Sequence, residues 1–142
     1  MVYEQLRTLD YEQIRTKMTI SIKPTESELE ILQILWSRGE CTVRTVHEEL
    51  IKSKDVGYTS TLKLMQIMHE KGLVSRNTES KTHIYIAAIN QQDTQKHLLN
   101  KLIDNAYNGS AARLVMQALG NHKATSQELE QIKKYLEQLE SK

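Results

Sequence analysis

The sequence predicts a mainly α-helical chain with one small β-hairpin. Apolar residues recur at the helical period over most of its length, and the period drops to two only between Leu73 and Ala87. Turn and cap signals fall between the periodic stretches, at Thr25, Gly39, Gly57, Gly72, Asn108-Gly109 and Thr125. Their order is helix, short extended piece, helix, helix, strand, strand, then three further helices. The first six elements read as a winged helix-turn-helix domain, in which the third helix enters a DNA groove and the hairpin is the wing.

Taken in order, residues 1–21 form an N-terminal extension, in which Tyr3, Leu6, Leu9 and Ile14 give a short amphipathic pattern; Met18 offers an alternative start. The predicted DNA-binding domain spans 22–89. Thr25 caps its first helix, with Glu28 placed to close a capping box, and Leu29, Leu32, Ile34, Leu35 and Trp36 supply the apolar face. Gly39 is expected to end this helix as a left-handed cap. Cys41-Thr42 is extended, and Val43 to about Lys52 forms the second helix, buried through Val43, Val46 and Leu50. Thr59 is expected to cap the third helix. Leu73–Arg76 and His83–Ala87 are the strands, joined by a polar tip at 77–82.

On a helical projection, Thr59 to Lys71 divides into two arcs. Thr61, Leu62, Leu64, Met65 and Met68 face one way. Thr59, Ser60, Lys63, Gln66 and Glu70 face the other. A solvated face more often carries long Glu and Lys chains, whereas short hydroxyl and amide groups with one cation suit a major groove. Tyr58 opens the same stretch. Arg44, in the first turn of the second helix, opposes the helix dipole, a mild mismatch that is tolerable if a phosphate is its partner. Arg76, Lys81 and His83 flank the hairpin tip, where cations are ordinarily solvated edge residues but behind a reading helix can touch phosphates.

Residues 90–142 return to the helical period. Leu98, Leu99, Leu102, Ile103, Ala106 and Tyr107 form one stripe, Leu114 and Val115 belong to a helix from Ser110 to Leu119, and Leu129, Ile132, Leu136 and Leu139 form a stripe on a helix capped by Thr125 and Glu128. Three amphipathic helices in so short a segment cannot cover their own apolar faces. A second copy of the chain resolves this, which predicts a helical dimerisation region and a homodimer.

Composition sets limits. The chain of 142 residues has a formal net charge of +1 and no Phe, so Leu, Ile, Val and Met must build its core. Residues 22–89 hold nine Lys or Arg against nine Asp or Glu, so cationic groups that meet DNA must be gathered on one face. That balance leaves open an alternative: a winged-helix protein–protein interaction module that does not bind DNA. Cys41 is the single cysteine, which excludes an internal disulfide and fits a reducing cytosol. No apolar run reaches membrane-spanning length and no signal segment is present, so a cytoplasmic protein without a membrane partner is expected. His47, His69, His83, His97 and His122 show no metal-ligand spacing. Phosphate loops, dinucleotide turns, nucleophile elbows and carboxylate pairs are lacking, so neither an enzyme nor a cofactor is expected.

Pro24-Thr25-Glu26-Ser27-Glu28-Leu29-Glu30-Ile31-Leu32, Leu35-Trp36 and Cys41-Thr42-Val43-Arg44-Thr45-Val46-His47 resemble the start of the penicillinase and methicillin-resistance repressors. Gly57-Tyr58-Thr59-Ser60-Thr61, Glu70-Lys71-Gly72-Leu73-Val74, Tyr107-Asn108-Gly109-Ser110 and Glu128-Leu129-Glu130-Gln131-Ile132-Lys133 continue the likeness over about residues 22–140. The resemblance implies a bacterial homodimeric transcriptional repressor. Each winged helix would bind half of a palindromic operator, with Thr59, Ser60 and Lys63 foremost. The chain departs from the family in three ways. Lys101-Leu102 stands where members switched by β-lactams carry the Asn-Phe bond cut by a membrane protease. The CxC pattern of copper-switched members is missing. Leu62 and Ile67 fall where several members have a basic residue, and no inducer is readable.

Overall fold

The structure, a computed structural model, describes residues 23–79 and 81–142. The pattern at Tyr3, Leu6, Leu9 and Ile14 lies outside the described residues. The described chain forms α1 (Glu26–Arg38), β1 (Cys41–Thr42), α2 (Val43–Leu50), α3 (Tyr58–Lys71), β2 (Val74–Asn77), β3 (Ile84–Ala87), α4 (Gln91–Ala106), α5 (Ala111–Asn121) and α6 (Ser126–Glu140). It divides within α4 into two compact units, one through Leu98 and one from Leu99 to Lys142.

The first unit is a winged helix, as its element order predicts. Its strands form an antiparallel sheet in the order β1-β3-β2, with Cys41 opposite Tyr85 and Arg76 opposite the same tyrosine on the other edge. Ile31, Leu32 and Leu35 of α1, Val46 and Leu50 of α2, Met65 and Met68 of α3, and Leu73, Val74 and Tyr85 of the hairpin are all buried in one core. Leu29, Ile34 and Trp36 are half-buried at its margin, and Trp36 Nε1 donates to the Ile89 carbonyl at 3.0 Å. That bond fixes the exit of the hairpin against α1.

The capping box of α1 forms as expected: Thr25 Oγ1 accepts from Glu28 N at 3.2 Å, and Thr25 N donates to Glu28 Oε1 at 2.9 Å. Gly39 differs from expectation. Its φ of 83° is positive, but ψ is −134°, a mirror-image extended conformation rather than a left-handed helical one. The chain therefore leaves α1 straight into β1 instead of curling back. Gly72 does close α3 in the left-handed region, with φ 83° and ψ 12°.

The start of α3 also corrects the sequence reading. Gly57, not Thr59, is the N-cap, and it contributes no side-chain hydrogen bond. Thr59 lies inside the first turn. A start at Tyr58 lets Tyr58 and Thr61, nearly one turn apart, both meet His47 of α2. Along α3, Thr61, Met65 and Met68 are buried, while Leu62 and Leu64 are only half-buried.

In the second unit, Ser110 caps α5 by accepting from Arg113 N, and Thr125 with Glu128 forms a full capping box on α6. Asn108 and Gly109 make the turn before α5 with φ of 51° and 83°. No residue from Gln95 to Lys142 is buried within the chain.

Candidate nucleic-acid interface

The two arcs of α3 separate as the projection predicts. Thr59, Ser60, Lys63, Gln66 and Glu70 are exposed, opposite buried Thr61, Met65 and Met68. Thr59, Ser60, Lys63 and Gln66 make no side-chain hydrogen bond or ion pair with other described residues. These donors and acceptors are held on a rigid element and left unspent.

Two depressions border this arc. A cleft of about 550 Å³ is lined by Arg44, Tyr58, Lys81, Thr82 and His83, so it gathers four of the predicted contact residues from α2, α3 and the wing. Arg44 is exposed in the first turn of α2, where no acid offsets it. The cleft is thus cationic although the domain as a whole is neutral. Along the other flank, a groove of about 440 Å³ brings Ser60 and Lys63 beside Thr25, Ser27, Lys54 and Ile67. Ser27 and Lys54 escaped the sequence reading because neither belongs to the α3 stretch, and Lys54 also reaches Glu30 Oε1 at 3.4 Å.

Thr59, Gln66 and Arg76 line neither depression. Arg76 is half-buried on β2, on the face that also carries buried Val74, and its Nε has no hydrogen-bond partner among the described residues. It is less a free wing cation than Lys81 or His83, both of which are exposed.

Two polar contacts that the sequence did not disclose hold α3 in place. Near its start, His47 Nδ1 lies 3.0 Å from Thr61 Oγ1, and the His47 ring meets Tyr58 edge-on at 5.5 Å between centroids. Near its end, Lys71 Nζ donates to Glu28 Oε2 at 2.8 Å. Burial alone would raise the Glu28 pKa, but the hydrogen bonds from Lys71 and Thr25 and the lysine charge carry it below the ordinary carboxylate value. Cys41 is buried on β1, and that burial pushes its thiol pKa up, against the nearby Arg38 charge. A suppressed thiolate suits a small core residue and not a nucleophile.

Among the described residues no cluster of His, Cys, Asp or Glu could hold a metal ion, and no helix is long and apolar enough to cross a membrane. A polar reading helix beside a cationic cleft, on a winged helix, is the equipment of a DNA-binding regulator. Residues 24–138 match the family model described as "Penicillinase repressor". The chain belongs to the penicillinase repressor family. It is accordingly a winged-helix transcriptional repressor.

Its curated relatives agree. The penicillinase repressor of Bacillus licheniformis is 20% identical over 114 residues, spanning 80% of this chain and 89% of that protein. The methicillin resistance regulatory protein MecI of Staphylococcus aureus is 20% identical over 112 residues, 79% of this chain and 91% of that one. The transcriptional regulator BlaI of Mycobacterium tuberculosis is 37% identical over 59 residues, 41% of this chain and 43% of its own length. Among solved structures, the DNA binding domain of the repressor BlaI aligns with a TM-score of 0.45 at 20% identity, covering 51% of this chain and 90% of that domain.

Proposed function

We propose that this repressor acts as a homodimer on a palindromic operator, reading base edges through α3 and holding the phosphate backbone through the wing and the start of α2. The observation that carries this reading is the exposed, unpartnered polar side of α3 lying beside the cleft of Arg44, Tyr58, Lys81 and His83. Thr59, Ser60, Lys63 and Gln66 take the base-reading role, since short hydroxyl and amide groups and one lysine match the donor and acceptor pattern of a major groove. Arg44, Lys81 and His83 take the backbone, where charge matters and sequence does not. Arg76 acts beside them from its half-buried place on β2.

The homodimer is supported by the second unit. Leu99, Leu102, Val115, Leu129, Leu136 and Leu139 are each about half exposed, and Leu98, Ile103, Tyr107, Leu114 and Ile132 are only half-buried. Ala106 is exposed on the same helix. Stripes of this size, uncovered in three successive helices, are what a second copy would bury. One lysine and a few short polar groups make a modest anchor, so specificity rests on two reading helices held at a fixed spacing. Two-fold symmetry in the protein then requires two-fold symmetry in the operator.

The test is selection of bound duplexes from the genomic DNA of the source bacterium at moderate salt. A palindromic motif whose half-sites lie about one or two helical turns apart is the expected result. Failure to enrich any motif would transfer the winged helix to a protein partner instead.

A further inference from the structure

The chain contains two capping boxes of the same design, and they differ in one respect. In α6, Glu128 Oε1 accepts from Thr125 N at 3.2 Å while the glutamate stays exposed. In α1, Glu28 Oε1 makes the same bond at 2.9 Å, but the residue is 1% exposed and its second oxygen accepts from Lys71. Capping therefore does not require burial. A glutamate is almost never placed fully inside unless paired, and the pairing here joins residues 43 apart in sequence.

We propose that Glu28 is a positioning residue for DNA reading, its carboxylate tying the end of α3 to the start of α1 and thereby fixing the angle at which α3 presents Thr59, Ser60, Lys63 and Gln66. The inference rests on the reading of α3 as the recognition helix. The His47–Thr61 pair pins α3 near its first turn, and the Glu28–Lys71 pair pins it immediately before Gly72. With only the first pin, the packing of Met65 and Met68 in the core is all that resists a rocking of the helix about Thr61. Gln66 lies roughly 7 Å along the axis from that pivot, so a rock of about 10° moves it by roughly 1 Å. Hydrogen bonds to base edges tolerate only a few tenths of an ångström. Phosphate contacts by long, exposed lysine and arginine chains tolerate far more. Loss of the second pin is thus expected to erode sequence preference while sparing general DNA affinity.

Two single variants and their combination test this. E28Q keeps the oxygen that caps Thr25 N but offers Lys71 an amide in place of a charge. K71Q strands the buried carboxylate from the half-exposed side. The double variant E28Q/K71Q places two neutral amides across the same gap, where they can hydrogen-bond. The full chain is assayed against the most enriched duplex from a selection and against a scrambled duplex of equal length, with thermal melting recorded for each variant. Each single variant is expected to lose roughly tenfold of the parent's preference for the enriched duplex, with scrambled-duplex affinity little changed, and the double variant to regain most of it. Preference retained in both single variants overturns the proposal. So does a double variant no better than the worse single, or a loss of both affinities in step with melting temperature. Should E28Q not fold, K71Q decides alone, by whether its preference falls. A parent chain that prefers no duplex would remove the recognition-helix reading itself, and this proposal with it.

Discussion

His47 Nδ1 stands 3.0 Å from Thr61 Oγ1, and this pair fastens α2 to the buried side of α3. Thr61 Oγ1 in turn donates to the Gly57 carbonyl at 3.4 Å, so the hydroxyl accepts from an Nδ1–H of the imidazole. Helix-turn-helix geometry is therefore set by a three-member polar chain and not by apolar packing alone. Thr61→Val keeps the shape and removes the acceptor, leaving the imidazole N–H unsatisfied. It is expected to cost about 1–3 kcal/mol in urea unfolding, with Thr61→Ser recovering most of the loss.

The division of labour on the DNA face predicts two kinds of mutant. Lys63→Ala should cost on the order of 1–3 kcal/mol against the enriched duplex and relax discrimination at one base position. Arg44→Ala and Lys81→Ala should weaken binding to all duplexes alike, each lowering the slope of affinity against salt by about one. Quantitative titration at several salt concentrations separates the classes. A Lys63→Ala chain that bound as tightly as the parent would displace α3 from the groove.

Glu28 gives the fold an acid-sensitive element. Its pKa is lowered in the folded chain from an ordinary value of 4.5. A group lowered by folding stabilises the fold fully above its unfolded value and loses that contribution as pH falls through the folded one. Urea midpoints measured downward from pH 6 should hold until about pH 5 and then drop. In Glu28→Gln this part of the drop should vanish, leaving a lower but flatter profile.

The uncovered second unit predicts association. Leu136 is 50% exposed in the single chain. Leu136→Asp would place a charge in the middle of the proposed interface and should convert a dimer into a monomer. Operator affinity should then fall on the order of a hundredfold, since the second half-site is no longer held at hand. Sedimentation at micromolar concentration checks this directly, and a parent chain that sediments as a monomer there would refute the dimer.

Gly57 offers a trade-off. It caps α3 without a side chain, in an extended conformation with φ −79° and ψ 154°, and a Cβ added there meets nothing within 4 Å. Gly57→Ser supplies the missing acceptor and should stabilise by a few tenths of a kcal/mol. Gly57→Asp should stabilise at least as well, because an acid favours the start of a helix. It should also weaken DNA binding, because it sets a negative charge beside the cationic cleft. Melting curves and DNA titrations on the pair separate the two effects.

The sequence disclosed what depends on near neighbours. Both capping boxes, the switch of period at the hairpin and the arcs of α3 were legible because each is set by residues within a turn or a strand of one another. The deficit of cover in the last three helices was legible too, as a matter of counting apolar positions against length. Hidden from it were features whose causes lie far along the chain. Thr59 has the chemistry of a cap, but the helix starts at Tyr58, where Tyr58 and Thr61 both meet His47, fourteen residues before Thr61. Glu28 reads as an ordinary capping acid, and only the fold reveals that Lys71 reaches it. Ser27 and Lys54 come beside Lys63 through the packing of α1 and α2 on α3, which no local pattern records.

The anchors of α3 and its exposed side chains are separate sets of residues. His47, Thr61, Glu28 and Lys71 hold the helix, while Thr59, Ser60, Lys63 and Gln66 make no side-chain hydrogen bond or ion pair with other described residues. Substitutions in the second set should leave folding nearly unchanged, as is usual at surface positions free of special contacts. A gene duplicate could then drift to a new target by a handful of changes without passing through an unfolded ancestor. Such independence between scaffold and address lets one architecture serve many promoters.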